Sequence, residues 1–146
     1  MVISIVMRRY SAPMSQENVE LVREGFARWN EGDYQFIFSS AAPDVELYSR
    51  FGSLNGEPYR GHQGVREWLA DIEQSFDRFE LWLDEIRDLG DDVLALGGID
   101  ARARGSGLDI QEPMGWVLEF RDGRLTRMRF YSPPAEALEA VGPGHR

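Results

Sequence analysis

Cysteine is absent and histidine nearly so: the 146 residues hold no Cys and two His, His62 and His145. The first absence excludes a disulfide framework, a thiolate nucleophile and any zinc site built on thiolates. The second argues against a His-rich metal centre and leaves a Ser-His-Asp triad only His62, so neither metal nor cofactor is expected. Positive charge is short as well, with 16 Lys plus Arg against 25 Asp plus Glu and a net charge of −9. A phosphate backbone needs a basic surface, so nucleic acid is not an expected partner. No stretch approaches the roughly 20 apolar residues of a membrane helix, and no membrane partner is expected either. The opening MVISIVMRRY places Arg8 and Arg9 after a short apolar run, the reverse of a secretory signal. Residues 1–13 read as an appendage, with a natural beginning near Met14 and a single domain over 14–146. A cytoplasmic location follows by default.

Aromatic residues, by contrast, are plentiful. Four Trp, five Tyr and eight Phe in one domain of this length supply both a core and the walls of a ligand pocket. Val19, Val22, Phe26 and Trp29 recur at helical spacing after Ser15, read as an N-cap, and Gly32 ends that helix. Asp33 is expected to cap a shorter helix holding Phe36, Ile37 and Phe38, which Pro43 stops. Residues 44–48 read as a strand. Residues 49–60, SRFGSLNGEPYR, read as a long loop containing Phe51, of the kind that serves as a lid. Val65, Trp68, Leu69, Ile72 and Phe76 form the stripe of the next helix. A strand over 78–88 changes phase near Asp84-Glu85, which predicts a bulge.

Three antiparallel strands then fill residues 93–132. Together these elements make an α+β domain, with helices on one face of a mostly antiparallel sheet. Parity assigns faces. Ile110, Glu112, Met114, Trp116, Leu118 and Phe120 form one apolar side interrupted by a carboxylate. A three-residue loop, Gly105-Ser106-Gly107, would pair even positions with even and set Asp100 opposite Glu112 on that inner side. At Arg121-Asp122-Gly123, a left-handed bulge at Gly123 would turn Thr126, Met128, Phe130 and Ser132 inward. The small residues of 93–103, with Val117, Leu125 and Tyr131, then fall outside. That surface is too apolar to stay wet, which predicts a homodimer through the outer sheet face.

The helix ending WNEGD, the PDVELY strand, the helix entry YRGHQGVREWL and the closing hairpin FRDGRLTRMRFY together carry a resemblance. Over roughly residues 14–141 the chain resembles the nuclear transport factor 2-like superfamily, which includes ketosteroid isomerase, in its SnoaL-like branch. The resemblance implies a cone-shaped barrel: a curved, mostly antiparallel sheet wrapped on about three N-terminal helices around an apolar cavity, commonly dimeric through the sheet. Ketosteroid isomerases carry an Asp base in the first strand, a second Asp two strands later and a Tyr on the first helix. The corresponding positions here hold Leu47, Trp116 and about Gly25, so chemistry by that constellation is not expected. SnoaL-like relatives include polyketide cyclases that use an acid/base carboxylate, and others without known activity.

The candidate catalytic residues are Asp100 and Glu112, because facing carboxylates repel and burial raises the pKa of at least one. The competing reading places them at a solvated rim beside Arg102 and Arg104. Trp29, Tyr48, Phe51, Met114, Trp116 and Phe130 are the candidate ligand-binding residues. As a set they suit a small apolar molecule, polycyclic or bearing a carbonyl. Three functions stay open at this stage: acid/base isomerase, cyclase or hydrolase chemistry; small-molecule binding without catalysis; and a dimeric scaffold whose cavity is filled by its own side chains.

Overall fold

The computed structural model describes residues 2–49 and 57–142, with side chains from residue 16 onward. Its elements run α1 (Val2–Asn30), α2 (Gln35–Ser40), β1 (Ala41–Tyr48), β2 (Tyr59–Arg60), α3 (Gly61–Ser75), β3 (Phe76–Asp88), β4 (Asp92–Ala103), β5 (Asp109–Arg121), β6 (Arg124–Tyr131) and α4 (Pro134–Val141). The six strands form one sheet in the order β2-β1-β6-β5-β4-β3. Every neighbouring pair is antiparallel except β1 with β6. The expected α+β class and curved sheet are therefore present. Ser15 lies within α1 and not at its cap, and α2 is capped at Tyr34 without a side-chain hydrogen bond.

α1 and α3 pack on the inner face of the sheet. Their buried residues, Val22, Phe26 and Trp29 on α1 and Val65, Trp68 and Ile72 on α3, join the inward residues of the strands in one core. β3 is an edge strand, so alternate backbone groups along it face away from β4 and need partners. The end of α1 supplies them. Trp29 Nε1 donates to Phe79 O at 2.7 Å, and Asn30 Nδ2 donates to Leu81 O at 2.7 Å. Asn30 Oδ1 in turn accepts from Leu81 N at 2.9 Å. The Trp-Asn pair in WNEGD thus fastens the helix to the open edge and holds the sheet curved over it. Farther along β3 the pairing shifts between Leu83 and Glu85, where the bulge was expected. The shift lets both Leu83 and Ile86 pack against the core.

The β4–β5 hairpin differs from the expectation, and the difference reverses a face. Ala103 N donates to Leu108 O at 2.8 Å, so four residues, 104–107, form the loop and not three. Even positions therefore pair with odd: Leu94 with Val117, Ala95 with Trp116, Asp100 with Gln111 and Ile99 with Glu112. The small set faces inward, and Val93, Ala95, Ile99 and Ala101 are fully buried. α1 packs across β4 on this face. Close approach governs Gly97, since a Cβ at that position would stand 1.9 Å from Trp82 O. Leu94 and Leu96 face outward with Val117 and Tyr131, but α4 covers them through Ala137 and Val141. Of the residues expected to form an apolar outer patch, the small set of β4 thus lies inside, and Val117 and Tyr131 pack under α4.

At the β5–β6 hairpin, Met128 and Phe130 face inward as expected, opposite Leu118 and Trp116. The device is a two-residue turn, Asp122 (φ 55°) and Gly123 (φ 76°), followed by a register shift between Glu119 and Phe120. That shift also turns Leu125 into the core, where it is 8% exposed, although it was assigned to the outside.

Because Asn30 satisfies two backbone groups of the β3 edge, Asn30→Ala should destabilise the fold by about 2 kcal/mol. Urea unfolding measures this. A loss below about 0.5 kcal/mol, the range of a plain surface change, would show that the edge needs no such clamp.

Candidate functional site

The inner face of the sheet lines an apolar pocket of about 70 Å³ under α1 and α2. α1 contributes Val22, Gly25, Phe26 and Trp29, which fall on one face because they recur at helical spacing. α2 contributes Phe36 and Ile37, and α3 contributes Trp68. The floor comes from Leu47, Leu118, Phe120, Leu125, Met128 and Phe130. Polar groups are scarce in this wall. The Ser40 hydroxyl donates to Phe36 O at 2.7 Å, and the Trp29 indole is held by β3. Leu21 and Phe36 also line an outer groove with Gln16, Glu17, Glu20 and Glu24. The cavity therefore borders a negatively charged surface.

The structure separates the candidate residues. Trp29 and Phe130 line the cavity. Trp116 lies one layer behind, edge-on to Phe26 with ring centroids 4.9 Å apart, and Met114 is buried in the core. Tyr48 faces the other way. Its hydroxyl donates to Glu46 Oε1 at 3.1 Å, and its ring lies beneath the Arg127 and Arg129 guanidinium groups. Phe51 lies outside the described residues. Phe36, Ile37 and Leu125 are cavity residues that the sequence reading did not single out. The apolar Phe36-Ile37-Phe38 run was the available signal for the first two.

Asp100 and Glu112 do not face each other, because the four-residue loop puts them on opposite faces. Asp100 is on the outer face, where Arg78 Nη2 donates to its Oδ1 at 2.8 Å. Arg78 also stands 3.6 Å from Glu80 and 3.8 Å from Asp109, and Arg102 pairs with Asp109 at 2.9 Å. The Arg102 hydrogen bond holds the Asp109 carboxyl below its ordinary range. This is the solvated ion network that competed with the catalytic reading, with Arg104 placed elsewhere, against Asp77 at 2.8 Å. Glu112 has the inner parity and is half-buried beside Ile99, beyond the residues that line the cavity. Among the described residues, no three His, Asp or Glu side chains cluster as metal ligands would, and no helix is long and apolar enough to cross a membrane.

A second outer network surrounds Glu46, with Arg60 at 3.2 Å and Arg127 at 3.3 Å. The Arg60 hydrogen bond, helped by those from Tyr48 and Arg127, lowers the Glu46 pKa. A lowered folded-state pKa stabilises above the unfolded value and loses that stabilisation as pH falls through the folded one. Glu46→Gln should therefore lower Tm at neutral pH by the equivalent of less than about 1 kcal/mol. The gap should close below about pH 4. Melting curves followed by circular dichroism across that range measure it, and a gap independent of pH would contradict the assignment.

Comparison with known proteins agrees with this fold. The model of the SnoaL-like domain matches residues 22–128. No curated protein matches the chain. Among solved structures, a protein of unknown function from Burkholderia pseudomallei, described as nuclear transport factor 2-like, superposes with a TM-score of 0.73 at 22% identity, covering 86% of this chain and 98% of its own. TerC, co-crystallised with polyporic acid, gives 0.72 at 25% identity over the same shares, 86% and 98%. A ketosteroid-isomerase-like protein from Catenulispora acidiphila, in complex with trimethylamine, gives 0.69 at 18% identity, covering 84% and 92%.

Proposed function

The chain belongs to the SnoaL-like domain family, and from that premise we propose that it binds a small apolar molecule in the cavity beneath α1 and α2, without acid/base catalysis by Asp100 and Glu112. One observation carries this reading: the described residues that line the cavity include no carboxylate, imidazole or guanidinium. A pocket of this kind holds its ligand by apolar contact and orients it with few polar groups. TerC, which shares the fold and was co-crystallised with polyporic acid, supports small-molecule binding at this level of likeness. A scaffold filled by its own side chains is disfavoured, because space remains between α2 and the sheet.

The volume of about 70 Å³ is smaller than the roughly 150 Å³ that admits benzene in an engineered cavity. A ring-sized ligand therefore requires α2 to yield. That helix has six residues, none of them buried, and no side-chain cap, so its displacement breaks mainly the contacts of Ile37 and Phe38 with the core and of Phe38 with His62 and Arg66.

Gly25 gives the test. It lies on α1 facing Phe36, and an added Cβ would make an ordinary contact 3.8 Å from that ring. Ethylbenzene should bind saturably and change Trp emission, because Trp29 and Trp68 line the cavity. Gly25→Leu should abolish that binding by filling the cavity. Gly25→Ala should leave the cavity open and stabilise the helix by about 0.5–1 kcal/mol. Absence of saturable binding to the wild-type protein, or unchanged binding to Gly25→Leu, would sink the reading.

We also propose that two copies pair through the part of the outer face that α4 leaves uncovered. Trp82 occupies the space over Gly98 there, opposite Pro113 across β4. Arg78, Glu80, Asp100 and Arg102 alternate in sign around it, and a two-fold axis would set opposite charges together. Native mass spectrometry should find a dimer that Trp82→Glu converts to a monomer. A wild-type monomer at micromolar concentration would overturn this.

A further inference from the structure

Of the four Trp residues, two have partners for their indole N–H. Trp29 donates to Phe79 O at 2.7 Å, and Trp82 donates to Asp84 Oδ2 at 3.1 Å. The Nε1 atoms of Trp68 and Trp116 are buried without any acceptor. Native interiors leave few such groups unpaired, because a donor stripped of water and given nothing in return opposes folding. These two are close in the fold. Their rings pack against Phe130 from two sides, with centroids 5.9 Å and 6.1 Å away. Phe130 and Trp68 both line the cavity, and Trp68 is 3% exposed. Trp68, a residue of the cavity wall, thus carries an unused buried donor.

We propose that Trp68 is the residue that sets ligand specificity in this cavity, and that the ligand is a neutral apolar molecule whose carbonyl oxygen accepts the Trp68 indole N–H. This rests on the reading that the cavity binds a small molecule. An indole nitrogen is a donor only, and a carbonyl is an acceptor only, so the pair is complementary. A carboxylate in the same position would be stripped of water with no cation among the described lining residues. It would also have to pass Glu17, Glu20 and Glu24 at the adjoining groove. A ligand offering mainly N–H or O–H donors gains less. The hydroxyl hydrogen of Ser40 is already committed to Phe36 O, and the wall supplies few acceptors.

Acetophenone and ethylbenzene share a ring and a similar shape but differ in the carbonyl, so their affinity ratio isolates the hydrogen bond. Titration calorimetry on the full chain should show that ratio falling about tenfold on Trp68→Phe, the size of one neutral hydrogen bond. The wild-type protein gives a second measurement that does not depend on how well the variant folds. In ¹H–¹⁵N spectra the Trp68 indole proton should move downfield with acetophenone and much less with ethylbenzene. If both probes bind, the ratio is unchanged and the Trp68 proton moves equally with each, this inference fails while the cavity reading stands. If neither probe binds, the cavity reading fails and this inference falls with it.

Discussion

The open edge of β3 is the constraint on which the rest of the structure depends. A curved sheet that does not close leaves backbone donors and acceptors exposed along its last strand, and such an edge invites pairing with another chain. Here the last turn of α1 meets that edge with two side chains. Trp29 bonds to Phe79 O, and Asn30 bonds both groups of Leu81. These bonds fix where the helix lies, and the helix fixes the rest. With its C-terminal end fastened to β3, its apolar face crosses β4, whose inward residues Val93, Ala95, Ile99 and Ala101 are fully buried. The space left between α1, α2 and β6 becomes the cavity.

The two faces of the sheet consequently do different work. The inner face is apolar and holds the cavity. The outer face is a set of ion pairs, Arg78 with Asp100 and Glu46 with Arg60 and Arg127, interrupted by the patch that α4 covers. Exposed pairs of this kind add little stability individually. They do keep strands that are apolar on one side and charged on the other from inverting, because a one-residue slip would bury the whole charged set. Asp100 belongs to this outer set. Its charge is met by Arg78, on the face away from α1.

Reading the chain in order made much of the fold legible. The helical spacing of Val22, Phe26 and Trp29, the apolar parity of 110–120 and the phase change at Asp84-Glu85 each report a local periodicity, and each is present in the structure. The β4–β5 pairing was not legible. Arg104-Gly105-Ser106-Gly107 admits a three-residue or a four-residue loop, and the two differ by one residue of register. That one residue separates two acids on the same face from two acids on opposite faces. Leu94 and Leu96 looked inward because nothing local indicated that α4, some forty residues later, would return to cover them.

The sequence by itself determined the class of fold and the amphipathic faces of helices and of β5, because these follow from spacing within single elements, and its motifs carried the resemblance to the family. It also determined what chemistry was unavailable, since the absence of Cys and the scarcity of His need no coordinates. Only the tertiary structure decided which residues share the cavity. Phe36, Leu125 and Trp68 come from three separate elements and meet there through packing, and no spacing rule links them. Only the tertiary structure likewise showed that Trp68 and Trp116 keep unpaired indole donors while Trp29 does not. Whether a buried donor finds a partner depends on what stands opposite it in space, which is a property of the assembled core.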